Sequence, residues 1–357
     1  MDENRKTMLS DEKELVSNAK VKSLIDQAIH LFNLDLSGLT ILTEAANGNY
    51  YITPVIAALS GARVLALARD SNFGSKDDVA DYVSHKIKEF SLDNEIKIIY
   101  DLNDELIFKS DIVTNLGHLR PLDASFIGRM NPQAVITSMC EDWEVRAEDI
   151  DLEECRRRGI LVGAVNEESS YVNIFQYVGF LTMKLIMEAG LEIYNNSFLV
   201  ISSDKFGKVI NDSLLAHGSS VNLKSPADFH KLLTHEHNYQ AIIIADFYYD
   251  NPLVAEAGVI SAEILHMYFP DTMIIHLVGE VDNVYLQENH IYCYPEKKGY
   301  RQRMSQTLDY LGMRPLIELH TASLKVGEIL TCEKKAGYSA EEIITKLAHH
   351  PLCQIIF

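Results

Sequence analysis

The chain has 357 residues, of which 47% are hydrophobic and 23% are charged, a composition typical of two globular domains and of neither a disordered nor a fibrous protein. Its 32 Lys and Arg residues face 51 Asp and Glu residues, and the formal charge of −19 repels the phosphates of nucleic acids and of anionic lipid surfaces. The chain has no apolar run long enough to cross a bilayer and no secretory signal pattern, so we expect a cytoplasmic protein without nucleic-acid or membrane partners.

The first half of the chain alternates short apolar strands with helical segments. The predicted strands are 39–43, 62–68, 96–100, 112–115 and 134–138, and the predicted helices are 51–60, 77–90 and 122–129. Strands that are joined by helices usually pair in parallel. This half therefore predicts a doubly wound α/β domain with a parallel sheet covered on both faces.

The second half begins with a long apolar segment, 171–188, whose apolar residues recur at helical spacing. We expect it to be a core helix that joins the two domains, and its apolar surface makes it the candidate contact of a homodimer. Further strands are predicted at 198–201, 220–223, 241–245, 273–276, 291–294 and 316–320, with helices at 207–217, 262–268 and from about 324. The pattern predicts a second doubly wound parallel sheet.

One strand-turn-helix unit, Phe198–Ile210, is laid out like a dinucleotide-binding turn. In the usual G-x-G-x-x-G motif the glycines permit a tight turn, close approach of the pyrophosphate and close packing of helix on strand. Ser202 and Asp204 replace the first two glycines, whereas Gly207 retains the third. The residues predicted to line the dinucleotide phosphates are Ser202, Ser203, Lys205, Phe206 and Gly207.

Four segments of the chain together resemble the D-2-hydroxyacid dehydrogenase family across the junction of its domains. They are Asp149–Asn166, Phe198–Gly207, Ile260–Asp282 and Pro315-Leu-Ile-Glu-Leu-His320-Thr-Ala-Ser. The resemblance implies a flavodoxin-like substrate domain (1–166 plus 324–357), a Rossmann-like cofactor domain (167–323) and a cleft between them. It also implies an NAD(P)-dependent oxidoreductase that acts on a small-molecule substrate, with His320 as the catalytic histidine.

The chain departs from that family where the substrate carboxylate is normally bound. The segment His276-Leu-Val-Gly-Glu280 offers no arginine, and bidentate pairing with a carboxylate is a task that histidine does not reproduce. The loop Ser138–Glu144 carries acids and Trp143 in place of glycines. We therefore expect a substrate other than an ordinary 2-hydroxy acid, with Trp143 among the residues that contact it.

Lys224 and Ser225 follow the second strand of the cofactor domain, where the family places an acid for the adenosine ribose. A lysine and a serine could instead receive a 2′-phosphate. This substitution predicts NADP rather than NAD, if a dinucleotide binds.

Ligands of open α/β sheets lie outside the carboxyl ends of the strands. Asp246, His276 and His320 end predicted strands there, and we assign Asp246 and His276 to the cofactor site; the alternative for His276 is a structural strand-end histidine. His320 is the candidate acid/base because hydride transfer requires a coupled proton transfer; the alternative is a buried structural histidine. Glu280 and Asp282 are candidates for orienting a catalytic histidine, or are exposed turn acids.

In the first domain, the loop Glu44-Ala-Ala-Asn-Gly48-Asn-Tyr lies between a strand and a helix, so its amides could hold an anion through Asn47. With Asp70 after the next strand, it also resembles an S-adenosylmethionine-binding unit in which a strand-end acid binds the ribose; the alternative is an ordinary tight turn. Arg120 and His118 end a further strand and are candidate substrate ligands, or Arg120 bridges surface acids.

The remaining motifs favour neither a metal site nor a hydrolase. Five scattered cysteines form no C-x-x-C pair, two local histidine pairs lack a third ligand, and no serine lies in a G-x-S-x-G turn. Three functions stay open. They are an NAD(P)-dependent oxidoreductase, a non-catalytic nucleotide- or metabolite-binding protein or subunit on the same fold, and an S-adenosylmethionine-dependent transferase.

Overall fold

The computed structural model describes residues 17–72, 74–141, 144–146, 148–166 and 172–357. Unit 1 comprises the chain up to Val172 together with Met313–Phe357, and unit 2 comprises Asn173–Gly312. The sequence places the second boundary at 323. The observed return to unit 1 comes earlier because it begins with a long helix that starts at Met313.

Unit 1 alternates helices and strands along its first segment. These elements are α1 (Asn18–Phe32), β1 (Thr40–Glu44), α2 (Ile52–Leu59), β2 (Arg63–Leu67), α3 (Lys76–Glu89), β3 (Ile96–Ile99), α4 (Asp104–Lys109), β4 (Ile112–Thr114), α5 (Ala124–Ile127), β5 (Val135–Glu141), α6 (Leu152–Arg158) and β6 (Val162–Val165). The central strands β4 and β6 are buried at every position, as expected for a parallel sheet covered on both faces. The sequence did not predict α4, α6 or β6.

Unit 2 follows, and the chain then returns to unit 1. Unit 2 contains α7 (Tyr177–Glu188), β7 (Ser197–Ile201), α8 (Lys205–Ala216), β8 (Ser220–Lys224), β9 (Ala241–Ala245), α9 (Ala262–Tyr268), β10 (Met273–Val278), α10 (Asn283–Glu288) and β11 (Cys293–Tyr294). The returning segment contains α11 (Met313–Lys335), α12 (Ala340–Leu347) and β12 (Cys353–Ile355).

In the described part of unit 1, seven strands form one sheet in the order β12-β6-β5-β4-β1-β2-β3. Strand β12 pairs antiparallel with β6, whereas β1 to β6 pair in parallel. Without β12 this is the 3-2-1-4-5-6 order of dinucleotide-binding units, in which the order reverses between the first and fourth strands. The topological switch point of unit 1 therefore lies between β1 and β4.

The described residues of unit 2 form a five-stranded parallel sheet in the order β11-β10-β9-β7-β8. This corresponds to the flavodoxin-like order 2-1-3-4-5, with the switch point between β7 and β9. Two doubly wound α/β units confirm the predicted fold class. The strand orders are nevertheless exchanged relative to the prediction, because alternation of strands and helices in a sequence does not reveal the order in which strands pair.

Residues 316–320, which the sequence predicts as a strand, lie inside helix α11. Leu316, Ile317, His320, Thr321 and Leu324 are buried at helical spacing. A short apolar run is compatible with both a strand and a buried helix, so its length was the misleading feature. Helix α11 packs on β5, β6, α1 and α2 and thereby covers one face of the unit 1 sheet.

Candidate functional site

The turn between β7 and α8 in unit 2 keeps the close contact that its glycine predicts. A Cβ atom on Gly207 would lie 2.6 Å from Cβ of Ser202 and 2.8 Å from Cδ1 of Leu223. Both distances are shorter than a real Cβ tolerates. Gly207 is therefore needed for the packing of helix on strand, which is the role of the third glycine of the motif.

The helix-side amides of this turn donate to the protein's own side chains. The Gly207 amide donates to Oγ of Ser202 at 3.0 Å, and the Phe206 amide donates to Oδ1 of Asp204 at 2.9 Å. The other oxygen of Asp204 accepts the amide of Phe247 at 2.7 Å. Burial raises the pKa of Asp204, the Phe247 amide opposes this rise, and the charge of Asp246 adds to it.

Asp246 fills the centre of the same turn from the end of β9. Its Oδ2 accepts the Ser203 amide at 2.6 Å and the Ser203 hydroxyl at 2.5 Å. Its Oδ1 accepts the amides of Tyr248 and Tyr249 at 3.1 and 2.9 Å. The carboxylate is fully buried, so Asp246 is a structural tie rather than an exposed ligand.

The backbone donors that a pyrophosphate uses at a helix N-terminus are bonded here within the chain. The Ser203 and Phe206 amides donate to Asp246 and Asp204, and the Gly207 amide donates to Ser202. Two carboxylates also repel phosphate, so these contacts oppose the predicted binding of a dinucleotide phosphate in this turn. The side chain of Lys205 lies over the Phe175 ring at 4.7 Å.

Lys224 and Ser225, which the sequence predicts as contacts of a 2′-phosphate, lie at the end of β8 and at the start of the following 3-10 helix. Ser225 caps the 3-10 helix Pro226–Leu232 by accepting the amide of Asp228 at 3.1 Å. Lys224 is the last residue of β8 and is half-buried. The Ser225 hydroxyl is thus committed to a local turn.

The polar residues in and after β10 stabilise unit 2 locally. His276 is fully buried and donates from Nε2 to the Gly279 carbonyl at 3.0 Å, and burial lowers its pKa to about 4. Asp282 caps α10 by accepting the amide of Tyr285 at 3.1 Å. Glu280 accepts the amide of Leu253 through its backbone carbonyl at 3.0 Å. Asp282 is consequently a helix cap rather than the partner of a catalytic histidine.

His320 lies in the interior of unit 1, where only 1% of its surface is exposed. Its Nδ1 lies 2.7 Å from Oγ1 of Thr53, and its ring centroid lies 5.9 Å from that of Tyr50. Burial lowers the pKa of His320 to about 3. The expected position at a strand end is wrong, and a buried neutral imidazole is unsuited to exchange protons with a substrate near neutral pH.

At the carboxyl edge of the unit 1 sheet, hydrogen bonds of Glu44 and His118 connect the ends of β1 and β2 with the segment that follows β4. Oε2 of the buried Glu44 accepts the His118 amide at 2.9 Å. Nδ1 of His118 lies 3.3 Å from the Leu67 carbonyl, and a carbonyl only accepts, so Nδ1 carries the proton and Nε2 is the basic nitrogen. Burial raises the pKa of Glu44, while the His118 amide and the charges of His118 and Arg120 oppose this rise.

Arg120 lies beside this pair, held by both a carbonyl and an acid. Its Nε donates to the Asn115 carbonyl, and its Nη1 lies 3.3 Å from Oδ2 of Asp149. The pairing with Asp149 agrees with the interpretation that Arg120 bridges acids, and its role as a substrate ligand stays a prediction. Sequence reasoning missed Asn115, a buried side chain that donates to Oγ of Ser138 at 3.2 Å; its place at the end of β4 was the available signal.

Two further residues flank the edge. Asn47 precedes the 3-10 helix Gly48–Tyr51, and its Nδ2 would lie 3.1 Å from a Cβ on Gly74. Asp70 follows β2, is exposed and accepts the Lys76 amide at 2.8 Å. It stands about twenty residues beyond the loop, at the position from which an acid binds an adenosine ribose. Trp143 lies outside the described residues.

A groove of about 440 Å³ in unit 1 is lined by acids, including Asp123, Glu148, Asp151 and Glu153. Asp123 and Asp151 cap α5 and α6. The groove is thus unsuited to an anion. In the described ranges there is no group of three metal-ligating side chains, and no helix there is both long and apolar enough to span a membrane.

No protein-family model and no curated protein sequence matches the chain. Among solved structures, a dipicolinate synthase chain from Bacillus halodurans is similar with a TM-score of 0.53 at 11% identity, covering 83% of this chain and 99% of that one. NAD⁺-bound 3-phosphoglycerate dehydrogenase from Entamoeba histolytica has a TM-score of 0.44 at 12% identity, covering 85% and 97%. NAD-dependent formate dehydrogenase from Staphylococcus aureus has a TM-score of 0.41 at 13% identity, covering 89% and 99%. At 11% identity, the similarity to the dipicolinate synthase chain shows a shared fold and nothing further.

Proposed function

We propose that the protein is an NAD(H)-dependent oxidoreductase that binds its cofactor at the carboxyl edge of the unit 1 sheet and acts on a small anionic metabolite. One observation carries the proposal: the strand order reverses between β1 and β4, and Glu44, His118 and Arg120 come together at that point. Switch points are where open α/β sheets bind nucleotides.

For the cofactor, Asp70 is the residue that would hold the adenosine ribose. An acid at the end of the second strand accepts a ribose hydroxyl and repels a 2′-phosphate, which favours NAD(H) over the NADP(H) expected from Lys224. The loop before the 3-10 helix Gly48–Tyr51 and helix α2 would receive the phosphates. When bound, the nicotinamide would supply the hydride acceptor or donor.

For the substrate, Arg120 supplies the cation and His118 supplies the proton acceptor. The contacts of Arg120 with Asn115 and Asp149 hold the guanidinium in place, which favours recognition of a carboxylate. The Leu67 carbonyl fixes the His118 tautomer with a basic Nε2, and Glu44 holds the His118 backbone. In this proposal His118 takes the acid/base role expected of His320.

Thermal unfolding with added nucleotides tests the proposal. A ligand that binds only the folded state stabilises it by about 2.7 kcal/mol at a hundredfold excess over its Kd. We expect NAD⁺ to raise the Tm by a few degrees, Asp70→Asn to reduce that rise, and the matched unit 2 variant Lys224→Glu to leave it unchanged. The absence of any shift with NAD⁺ or NADH would refute the proposal.

The same measurement separates the alternatives. The loop Glu44–Gly48 followed by Asp70 also favours an S-adenosylmethionine-dependent transferase, and stabilisation by that compound in place of NAD⁺ would support it. A nucleotide that stabilises the protein without turnover would favour a non-catalytic binding protein or subunit.

The cytoplasmic location and the homodimer belong to the proposal as well, with exposed Phe180 and Met187 on α7 as the candidate contact between copies.

A further inference from the structure

We infer that unit 2 is closed to nucleotide phosphates because Asp246, Asp204 and Ser202 accept the Ser203, Phe206 and Gly207 amides of its β7–α8 turn. The two carboxylates take the place that a pyrophosphate has in open turns of this kind. Unit 2 thus retains the strand, turn and helix of a nucleotide-binding unit without its anion site. This inference goes beyond the proposed function, which concerns unit 1.

The bonding of Asp246 makes displacement by a phosphate unfavourable. Its two oxygens accept four hydrogen bonds, two from Ser203 and one each from the amides of Tyr248 and Tyr249. The side chain is fully buried, so a carboxylate that left the turn would lose all four donors. Because Asp246 is part of the chain, it also competes at a far higher effective concentration than a dissolved anion.

Asp204 closes the other side of the turn. It caps α8 by accepting the Phe206 amide at 2.9 Å and accepts the Phe247 amide at 2.7 Å. A phosphate entering here would meet two neighbouring acids in a region of low dielectric, where repulsion between like charges is strong. The amides of Asp204 and Gly207 donate to Oγ of Ser202 at 3.3 and 3.0 Å. The Asp204, Phe206 and Gly207 amides, which an open turn offers to its ligand, are thus bonded within the chain.

The sequence explains why the turn can be closed. Ser202 and Asp204 stand where the motif has glycines, and both supply the oxygens that satisfy the turn. Glycine at these positions would leave the amides without side-chain acceptors. The two residues that replace the glycines of the motif therefore also provide the oxygens that accept hydrogen bonds from the amides of the turn.

Amide hydrogen exchange of the full-length protein with inorganic pyrophosphate and with NAD⁺, each at millimolar concentration, tests the inference. We expect neither compound to change exchange at residues 203–207. Removing both blocking carboxylates in Asp204→Gly/Asp246→Ala should create pyrophosphate affinity at these amides, at least about tenfold above that of the wild-type protein. Asp282→Ala removes a helix-capping acid elsewhere in unit 2 and should create none.

Protection of residues 203–207 in the wild-type protein by either compound would overturn the inference. So would a folded Asp204→Gly/Asp246→Ala protein, judged by its amide exchange elsewhere in unit 2, that gains no pyrophosphate affinity. If the double variant does not fold, the wild-type measurement decides alone. Protection by NAD⁺ at residues 44–52 and 70 tests the proposed function separately, because the two sets of amides lie in different units.

Discussion

His320 and His276 are buried imidazoles whose pKa values burial lowers to about 3 and about 4. Their usual pKa of about 6.5 applies in the unfolded chain. Between the two values the unfolded chain binds a proton that the folded protein does not. Their contribution to stability is therefore complete above pH 6.5 or so and is lost as the pH falls toward the folded pKa.

Replacing His320 with glutamine, which takes up no proton, should flatten the dependence of stability on pH. Below pH 6 the wild-type protein should lose up to about 1.4 kcal/mol more of its unfolding free energy per pH unit than the His320→Gln protein. Urea unfolding of both proteins at pH 7, 6 and 5 measures the difference. Parallel curves would contradict burial as the cause. Glu44 and Asp204, whose pKa values are raised, act in the opposite direction but are present in both proteins.

At the residue scale, the sequence predicted which polar residues lie near strand ends, but it did not predict their hydrogen-bond partners. Asp246, Arg120 and His118 were singled out because they end predicted strands. The bond between Asp246 and Ser203 joins residues 43 positions apart, and no local pattern predicts it. The sequence therefore indicated which side chains lie near the carboxyl ends of the strands. It did not indicate that Asp204 and Asp246 accept hydrogen bonds in the β7–α8 turn of unit 2.

At the element scale, helices α7 and α8 are in close contact at Gly179. A Cβ atom there would lie 1.9 Å from Oγ and 2.7 Å from Cβ of Ser213. Both atoms belong to one short side chain, which has little freedom to move away. The contact therefore depends on the pairing of glycine on α7 with a small residue on α8.

Gly179→Ala should destabilise unit 2 by about 1–3 kcal/mol, because the added methyl group overpacks the helix contact. Ser213→Gly alone should cost about 0.5 kcal/mol through lower helix propensity. The double variant should recover most of the stability, since the new methyl group then enters the space of the serine side chain. Chemical unfolding of all four proteins gives the coupling energy. Additive effects would show that the two positions do not meet.

The element boundaries were predictable where periodicity and end signals agreed. Helix α3 begins at a capping box formed by Ser75 and Asp78, and its predicted range, 77–90, differs from the observed one by a residue at each end. A strand was predicted at 316–320 because so short an apolar run fits either element and the family resemblance favoured a strand there. The buried positions Met313, Leu316, Ile317 and His320 already follow a helical period.

At the scale of the whole molecule, both parallel sheets were predictable from alternation and their strand orders were not. The order of strands depends on where each crossover connection places the next strand in the sheet. No local pattern in the sequence indicates this. Unit 1 consequently has the Rossmann-like order that was expected for unit 2, and unit 2 has the flavodoxin-like order that was expected for unit 1. The antiparallel edge strand β12 was missed for a similar reason, since its partner β6 is far away in the chain.

Unit 1 is discontinuous, and its final segment supplies a central part of its core. Helix α11 contributes Met313, Leu316, Ile317, Leu324 and Leu330 to the buried side chains of unit 1. Burying each of these large side chains is worth about 1.5–3 kcal/mol. Their combined loss is comparable to the whole net stability of a typical domain, about 5–15 kcal/mol.

Ending the chain after Gly312 should therefore unfold unit 1 and leave unit 2 folded, because unit 2 is continuous and has its own core. Amide hydrogen exchange should show fast exchange throughout β1, β4 and β5 and continued protection in β7, β9 and β10. A chain that ends after Ala336 is the matched control: it keeps α11 and loses α12 and β12, so exchange should increase mainly at β6, the partner of β12. Protected β4 and β5 amides in the shorter chain would mean that the unit 1 sheet is stable without α11, and the assignment of its core to that helix would fail.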